Sequence, residues 1–504
     1  MAENDHSSSG IPTYMKTTRS TSWTGRFVTL SIAASVALAS ACGGDSTGPV
    51  QGPPSLTVVN GVPHPTGLVG MTVAIEGTNF GSAAQGKVFF TPTGGTAIQA
   101  TIANASTDWT DAVIVTTVPA GVTGDAKITV QTAVGTSTAV PFTLVSSAAF
   151  SPSTILWART TDLPVALQGL GAAYVPVTTG TTRPSYVFTV GGADATNTAV
   201  TTMYRSQVQA SGALGAWATM TALPAPRAYH TVVAATAYTA PLDTTAAAGF
   251  VYAIGGVDAA GQATSTVYVT KVAPDGSAGA WATTTALPAA LRSAAGSVFR
   301  GYVYLVGGVG ATNAPVATTY RALVKADGTL GAWEPMAPLP QATGHLSLAQ
   351  FGPYLYAVGG DAGTTTAVLN TSTGTETANV YGATINLRDG SLMSTGWTAL
   401  TAMNKARSKH STLAAGGALL TTSGVYSGAA GSSENSYAIL TSSGALGSWQ
   451  GATGTNTISV VTGYSLYNQA ALSFADATGI GHVIVIGGAD RAIAGKASAA
   501  VIYY

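Results

Sequence analysis

One sequence repeat occurs six times along the chain and constrains the fold more than any other feature. Each copy has an apolar run ending in Gly-Gly, a later run carrying Tyr, a glycine-rich turn and then a Trp, with 52 to 64 residues between successive tryptophans. A β-rich period near 50 residues is typical of an architecture with one small sheet per repeat, arranged radially as a propeller. The six tryptophans are Trp157, Trp217, Trp281, Trp333, Trp397 and Trp449.

The copy around Trp333 shows why each repeat is expected to form an antiparallel sheet. The run before Gly307-Gly308 alternates apolar and aromatic residues, as a buried strand does. The two glycines allow a positive φ where strands crowd together. Asp327-Gly328 predicts a hairpin turn and places Trp333 on the outer strand. There the indole is expected to cover the seam between neighbouring sheets, an aromatic burial worth roughly 4–6 kcal/mol by area.

This pattern resembles the Kelch repeat, and the resemblance covers residues 153–504. A hydrophobic run into Gly-Gly, a Tyr after it and a Trp after that form a specific signal when they occur six times. The resemblance implies a β-propeller of four-stranded antiparallel blades, so six copies imply six blades in an all-β protein. The fifth copy departs from the pattern with Ser423-Gly424; the other pairs are Gly191-Gly192, Gly255-Gly256, Gly307-Gly308, Gly359-Gly360 and Gly487-Gly488.

The two ends of the repeat region complement each other. Trp157 follows no Tyr strand, whereas Tyr503 has no Trp after it. Closing the ring would therefore pair the run 155–157 with the run 501–503. Closure is expected because it removes two free sheet edges.

The first 53 residues predict export and membrane attachment. Residues 1–42 form a targeting segment with positive charges at Lys16, Arg19 and Arg26, followed by an apolar run too short to span a membrane. It ends in Leu-Ala-Ser-Ala-Cys42, which resembles a bacterial lipobox and implies that Cys42, the only cysteine, is diacylated. An ordinary cleavage site with a chance cysteine is the alternative, and the true start is Met1 or Met15. Residues 43–53 form a Gly/Ser/Pro tether.

Residues 54–146 predict a separate domain of short strands. Turn residues separate apolar runs at the spacing of a β-sandwich. The string from GMTVAIEGTNFG to ITVQTAVGTSTAVPF resembles an IPT/TIG domain, an immunoglobulin-like fold. In that family such a domain serves as a spacer or an interaction module, which is an analogy.

Composition excludes several classes of function. The chain has 504 residues, zero net charge and 8% charged side chains, so no basic patch favours nucleic acid. No apolar run reaches the roughly 18–20 residues of a membrane helix, and no His cluster has the spacing of metal ligands. We expect a monomer without cofactor or metal, held in the cell envelope by its lipid, at the outer membrane or the cell surface.

The candidate site lies on two sets of loops, those after each Leu-Pro and those after each Gly-Gly. In an up-and-down blade both sets lie at one end, near the central channel, and in Kelch-like proteins this face commonly binds partners. Arginines there can donate pairs of hydrogen bonds to carboxylates or sugar hydroxyls, histidines would make binding pH-dependent, and the loop 361–380 would form a rim. The predicted binding residues are Arg227, His230, Arg292, His345, Arg407, His410, Asp194, Asp258, Asp361 and Asp490, with Lys405 and Arg491 nearby.

A structural role is the alternative for each of these residues. An Arg in Arg-x-x-His can bond carbonyls around the channel while the His caps a strand. An Asp that follows Gly-Gly can close its own turn.

The predicted function is recognition of a glycan or protein partner, with an enzyme as the alternative. Copper chemistry like that of galactose oxidase is excluded, because it needs a Tyr–Cys crosslink and the repeats contain no cysteine. A sialic-acid epimerase-like enzyme in the envelope stays open. Against it, no Arg and Glu are paired, since Glu334, Glu376 and Glu434 are scattered.

Overall fold

The computed structural model describes residues 52–62, 65–145, 156–177, 184–236, 247–364, 375–426, 434–451, 466–475, 481–490 and 499–503. Residues 1–45 lie outside these ranges, and the described residues all belong to one unit within residues 46–504. The targeting segment, Cys42 and the centre of the loop 361–380 therefore lie outside the described residues. No described helix is both long and apolar enough to cross a bilayer.

The N-terminal module, residues 52–145, consists of two sheets that share a core. The first has the order β1-β3-β6, and the second has β2-β9-β7-β4-β5 with β8 beside β7. Period-two burial in β7 places Ala126, Ile128 and Val130 inside. Phe90 and Phe142 meet edge to face there, with ring centroids 5.5 Å apart. The elements are β1 Ser55–Val59, β2 Thr66–Gly67, β3 Thr72–Thr78, β4 Lys87–Pro92, β5 Ile98–Gln99, α1 Ala105–Asp108, β6 Val113–Thr117, β7 Asp125–Thr132, β8 Gly135–Thr136 and β9 Val140–Leu144.

The rest of the described chain forms six four-stranded antiparallel sheets, named sheets I to VI here. Sheet I has β11 Gly171–Pro176, β12 Ser185–Val190, β13 Met203–Val208 and β14 Leu214–Thr219. Sheet II has β15 Thr231–Thr236, β16 Gly249–Ile254, β17 Val267–Val272 and β18 Ala282–Thr284. Sheet III has β20 Ala295–Phe299, β21 Tyr302–Val306, β23 Thr319–Val324 and β24 Leu330–Pro335.

Sheets IV to VI follow the same plan. Sheet IV has β25 Ser347–Phe351, β26 Tyr354–Val358, β27 Val380–Thr384 and β28 Thr398–Ala399. Sheet V has β30 Ser411–Ala415, β31 Ala418–Thr422, β33 Asn435–Ile439 and β34 Gln450–Gly451. Sheet VI has β36 Ala470–Ala475, β37 Gly481–Ile486, β39 Ala499–Tyr503 and β10 Leu156–Arg159. Three short pairs lie between sheets: β19 Leu291–Arg292 with β22 Val309–Gly310, β29 Arg407–Ser408 with β32 Val425–Tyr426, and β35 Leu466–Tyr467 with β38 Ala489–Asp490.

The first strands of the six sheets contact one another in a closed circle. The contacts run from β11 to β15, β20, β25, β30 and β36, and from β36 back to β11. This arrangement is β-propeller-like, and it confirms the all-β prediction. The circular array of six sheets has two ends. We use the name cavity end for the end at which the first strands begin, and the name module end for the end at which they finish.

Sheet VI is completed by strands from both ends of the chain. β10 pairs with β39, with Trp157 opposite Ile502 and Leu156 opposite Tyr503, and β39 pairs on its other side with β37. This is the pairing predicted from the unmatched Trp and Tyr.

Each Gly-Gly pair joins its sheet to the next one. The N–H of the second glycine donates to a carbonyl that precedes the next first strand, as from Gly192 to Arg227 at 2.8 Å and from Gly488 to Leu167 at 2.9 Å. A Cβ on Gly191 would lie 2.4 Å from the Arg227 carbonyl oxygen, so a side chain there would break the approach. In the fifth copy Gly424 keeps this bond, and Ser423 adopts a φ of 62°.

The tryptophans join the outer edges of the sheets. The indole N–H of Trp333 donates to the Thr285 carbonyl at 3.0 Å, across the seam from sheet III to sheet II. Trp217, Trp281 and Trp449 make the same kind of bond, at 2.9 to 3.0 Å, to carbonyls of the segment before their own sheet. The predicted position of the indoles over the seams is therefore confirmed for these sheets.

The N-terminal module rests on the module end of sheets III to V. The Arg300 guanidinium, in the turn between β20 and β21, lies 2.8 Å from Glu76. Arg388 makes an ion pair with the buried Asp108. Met71 packs beside Gly352, in the turn between β25 and β26, and one hydrophobic cluster continues from the module into sheets IV and V. The cavity end lies across the thickness of the ring from this contact.

Candidate functional site

A circle of six backbone hydrogen bonds surrounds the channel at the cavity end. Each sheet contributes the residue two positions before its first strand, and each N–H donates to the carbonyl of its counterpart in the preceding sheet, at 2.7 to 3.0 Å. All six residues have a φ between 51° and 57°. These residues, which we call the central ring, are Gly169, Tyr229, Ser293, His345, Lys409 and Asn468.

The central ring and the residue after each of its members line a cavity of about 110 Å³. This volume is well below the roughly 300–1,000 Å³ of pockets that enclose a whole small molecule. The cavity is therefore large enough for one end group of a larger ligand.

One side of the cavity is charged. Burial lowers the pKa of Lys409, and the nearby carboxylates Asp361 and Glu376 oppose that shift while Arg292 adds to it. Burial, followed by the charges of Lys409 and Arg292, holds the pKa of His345 well below its usual value. His345 is therefore a neutral imidazole beside two cations at physiological pH. The described residues contain no group of three His, Cys, Asp or Glu side chains that could hold a metal ion.

The other side of the cavity is polar and neutral. The Tyr229 hydroxyl donates to the Asn197 side-chain oxygen at 3.3 Å, and the Gln168 amide donates to the same oxygen at 3.4 Å. The Asn468 amide donates in turn to Gln168 at 3.5 Å. Burial raises the pKa of Tyr229, so its hydroxyl stays protonated. The cavity thus offers one cation, Lys409, on one side and amide and hydroxyl groups on the other.

The three predicted arginines are buried instead of facing the channel mouth. Arg407 is 0% exposed and donates to the carbonyls of Ser423 and Glu434. Arg227 is 5% exposed, donates to the Pro226 carbonyl and lies over the Tyr268 ring. Arg292 is 3% exposed and donates to Asn313. The contacts of Arg227 and Arg407 match the structural alternative, in which the arginine bonds main-chain carbonyls.

His230 and His410 pack between sheets. The His230 ring lies against Gly191 of the preceding sheet, and the His410 ring lies against Gly359 in the same way. Burial, with a smaller effect of Arg227 or Arg407, lowers both pKa values to about 3, although the Val190 and Val358 carbonyls oppose the shift. Both rings also border the cavity, so they are neutral parts of its wall.

The predicted aspartates divide into two groups. Asp194 accepts from the Thr196 hydroxyl and from the N–H groups of Thr198 and Thr196, and these bonds, the hydroxyl bond first, hold its pKa below the usual value. Asp258 closes its own turn in the same way. Asp361 is buried behind the residues that line the cavity, accepts from the Gly363 N–H at 3.0 Å and opposes the lowering of the Lys409 pKa. Asp490 lies in β38, and its side chain is outside the described residues.

The expectation that no Arg and Glu are paired was wrong. Arg407 lies 3.9 Å from Glu434, which also binds Lys405 at 2.7 Å. Arg321 lies 2.8 Å from Glu334. Arg321 and Glu334 are opposite each other in the pairing of β23 with β24, and Glu434 lies just before β33, so local spacing gave no sign of either pair.

Sequence reasoning missed Tyr229, Ser293, Lys409 and Asn468. A positional signal existed: in the Arg-x-x-His motif, the residue before the His is the ring residue, as in Arg227-Ala-Tyr229-His230 and Arg407-Ser-Lys409-His410. Attention to residue types alone selected the flanking Arg and His, whose side chains are buried.

No family model matches the chain, and no curated protein matches it. Among solved structures, one titled "Structure of YjhT" aligns with 68% of this chain and 96% of its own chain, at 15% sequence identity and a TM-score of 0.48. An alignment at this level says nothing about the ligand of this chain.

Proposed function

We propose that this protein is a lipid-anchored envelope protein whose six-bladed, Kelch-like propeller binds one end of a larger glycan or protein ligand at the cavity end of its channel. The observation that carries the proposal is the cavity bounded by the central ring, with charged groups on one side and neutral polar groups on the other. Ligand sites typically combine a concave surface with a few convergent polar groups.

The volume of the cavity favours an end group over a whole ligand. A space of about 110 Å³ fits a terminal sugar substituent or a side chain, and the remainder of the ligand would lie over the surrounding loops. Lys409 and His345 would contact acceptor atoms of that end group, because both line the cavity on its charged side. Arg227 and Arg407 would act indirectly, by fixing the loops.

The test uses the full-length protein on a glycan array and in pull-down experiments. Lys409→Gln should weaken binding by at least about tenfold, because it removes a charged donor from the cavity. The matched control is Lys405→Gln, since Lys405 is on the same loop, is 43% exposed and is bound to Glu434. Equal binding by both variants and the native protein would contradict the assignment of this site.

The attachment belongs to the same proposal. Cys42 would be diacylated, residues 43–53 would be the tether, and the N-terminal module would be an IPT/TIG domain of the immunoglobulin-like class. Cys42→Ser should release the protein from membranes or block its processing. Unchanged membrane fractionation would contradict the lipid anchor and leave the binding site unaffected.

A sugar-acting enzyme of the epimerase type is the second candidate. It is favoured by Lys409 and the neutral His345, which both line the cavity, with the carboxylates Asp361 and Glu376 close enough to Lys409 to oppose the lowering of its pKa. The check is an NMR assay of anomer and epimer exchange with reducing sugars. Faster exchange with the native protein than with Lys409→Gln would support catalysis, and equal rates would leave binding as the function.

A further inference from the structure

The central ring is held together by main-chain atoms alone. Its six hydrogen bonds join N–H groups to carbonyls, while five of the six residues carry five different side chains and the sixth, Gly169, carries none. The geometry is nevertheless uniform, with φ varying by only a few degrees. The main-chain hydrogen bonds of the central ring therefore do not depend on any particular side chain at these positions.

The backbone of the ring favours glycine. A positive φ is unfavourable for residues with a Cβ. Asparagine and histidine are enriched in this conformation, whereas a serine, tyrosine or lysine side chain does not relieve the cost. Tyr229, Ser293 and Lys409 nevertheless occupy such positions. Strained positions of this kind cluster at ligand sites, where the side chain is needed for something other than stability.

Gly169 is the member of the central ring that has no side chain. A Cβ at this position would lie 2.6 Å from the Tyr229 ring, so the neighbouring tyrosine already fills the space. Glycine is thus present where a side chain has no room.

Ser293 points to a ligand most directly. Its hydroxyl oxygen is buried and finds no hydrogen-bond partner among the described residues, and Ser293 is one of the residues that line the cavity. A buried hydroxyl without a partner is costly. Ser293 therefore lowers the stability of the ligand-free protein in two ways, through its unpartnered hydroxyl and through its backbone φ of 51°.

We infer that the five non-glycine side chains of the central ring are the specificity-determining residues of the channel site, retained in a strained backbone in order to select the end group that the cavity accepts. The inference rests on the proposed function, because it assigns roles within that site. The backbone circle supplies a constant frame, and the side chains set which donors and acceptors face the ligand.

The first test measures stability and needs no ligand. Ser293→Gly should leave the melting temperature of the full-length protein unchanged or raise it by up to about 3 °C, because it removes the strain and the unpartnered hydroxyl. The matched control is Ser297→Gly, four residues later in β20, where the hydroxyl donates to Gln350 at 2.5 Å. The control should lower the melting temperature. A comparable fall for Ser293→Gly would overturn the inference, whether or not a ligand is known.

The second test measures specificity on the glycan array. Ser293→Asn and His345→Asn should change the rank order of the terminal sugars bound, because the ring already accommodates an asparagine at Asn468. The control is Ser443→Asn, on an exposed turn at the module end. If both ring variants keep the native rank order, the inference is wrong while the proposed site stands. If the native protein binds no glycan, the proposed glycan-binding function is wrong. The melting temperature of Ser293→Gly is then the test of the inference.

Discussion

Arg407 shows that a charged residue in a channel loop can serve the fold. Its guanidinium is 0% exposed, donates to two main-chain carbonyls and to the Ser436 hydroxyl, and lies near Glu434. Removal of such a group leaves several buried acceptors without a donor. The sequence analysis selected Arg407 as a binding residue. Its contacts show that it stabilises the fold by donating to buried main-chain carbonyls.

The substitution Arg407→Met should lower the free energy of unfolding by roughly 2–4 kcal/mol, because the lost donors are buried. Lys405→Met, on the exposed neighbour, should change it by about 0.5 kcal/mol or less. Denaturant unfolding measures both.

The triple change of Arg227, Arg292 and Arg407 to Ala should likewise lower the melting temperature. A triple variant that keeps the native melting temperature but no longer binds its ligand would contradict the structural role of these arginines.

His230 and His410 should make stability depend on pH. Their pKa values in the folded protein are about 3, below the 6.5 of the free side chain, so the unfolded chain binds more protons between these values. Their contribution is complete above pH 6.5 and is lost as pH falls towards 3, by up to about 1.4 kcal/mol per pH unit for each histidine.

Thermal unfolding between pH 8 and pH 4.5 checks this, because most carboxylates stay ionised in that range. The double variant His230→Gln/His410→Gln should show a shallower fall in melting temperature than the native protein. The slopes are compared instead of the absolute values, since glutamine can alter packing. Parallel curves would contradict the assignment.

At the scale of elements, each sheet is joined to its neighbours by a repeated set of polar bonds. Gly-Gly pairs bond the next first strand, and tryptophans bond the preceding outer edge. Tyrosine hydroxyls add a third set at the module end, as from Tyr252 to the Gly328 carbonyl and from Tyr304 to the Gly390 carbonyl, both at 2.7 Å. Because each bond crosses a seam, the stability of one sheet depends on its neighbours.

Deletion of residues 499–504 should therefore destabilise the whole ring. β39 lies between β37 and β10, so its loss leaves β10 without a partner and opens sheet VI. We expect a fall in melting temperature of ten degrees or so, or loss of soluble protein, because a complete strand pairing on both sides disappears. Removal of Tyr504 alone is the control. Native-like unfolding of the longer deletion would show that this seam is dispensable.

At the scale of the whole molecule, the N-terminal module is packed against the ring and is more than a spacer. Two ion pairs, Arg300–Glu76 and Arg388–Asp108, and a shared hydrophobic cluster join it to sheets III to V. The module occupies the end opposite the cavity, so the binding site and this contact do not compete for the same surface.

We expect the N-terminal module and the six sheets of the native protein to unfold in one cooperative thermal transition. The double variant Arg300→Glu/Arg388→Glu places like charges against Glu76 and Asp108, and should weaken the contact by on the order of 2–4 kcal/mol. Calorimetry should then show a separate, earlier transition for the module. Arg159→Glu, at the Arg159–Asp162 ion pair beside sheet VI, should keep a single transition, and the same result for the double variant would mean that the contact does not couple the two parts.

The sequence alone determined the repeated sheets, the closing partners of sheet VI and the positions of the tryptophans. These features depend on local periodicity and on glycine and aromatic chemistry, which a single repeat already carries. Only the tertiary structure decided which charges are buried and which residues border the channel. Six loops distant in sequence converge there. The pairing of Arg407 with Glu434 and the main-chain bonds that join Tyr229 to Gly169 on one side and Ser293 to Tyr229 on the other exist only after this convergence. The burial of a side chain depends on that convergence, so Lys409 and its neighbours could not be distinguished from the flanking Arg and His by residue type.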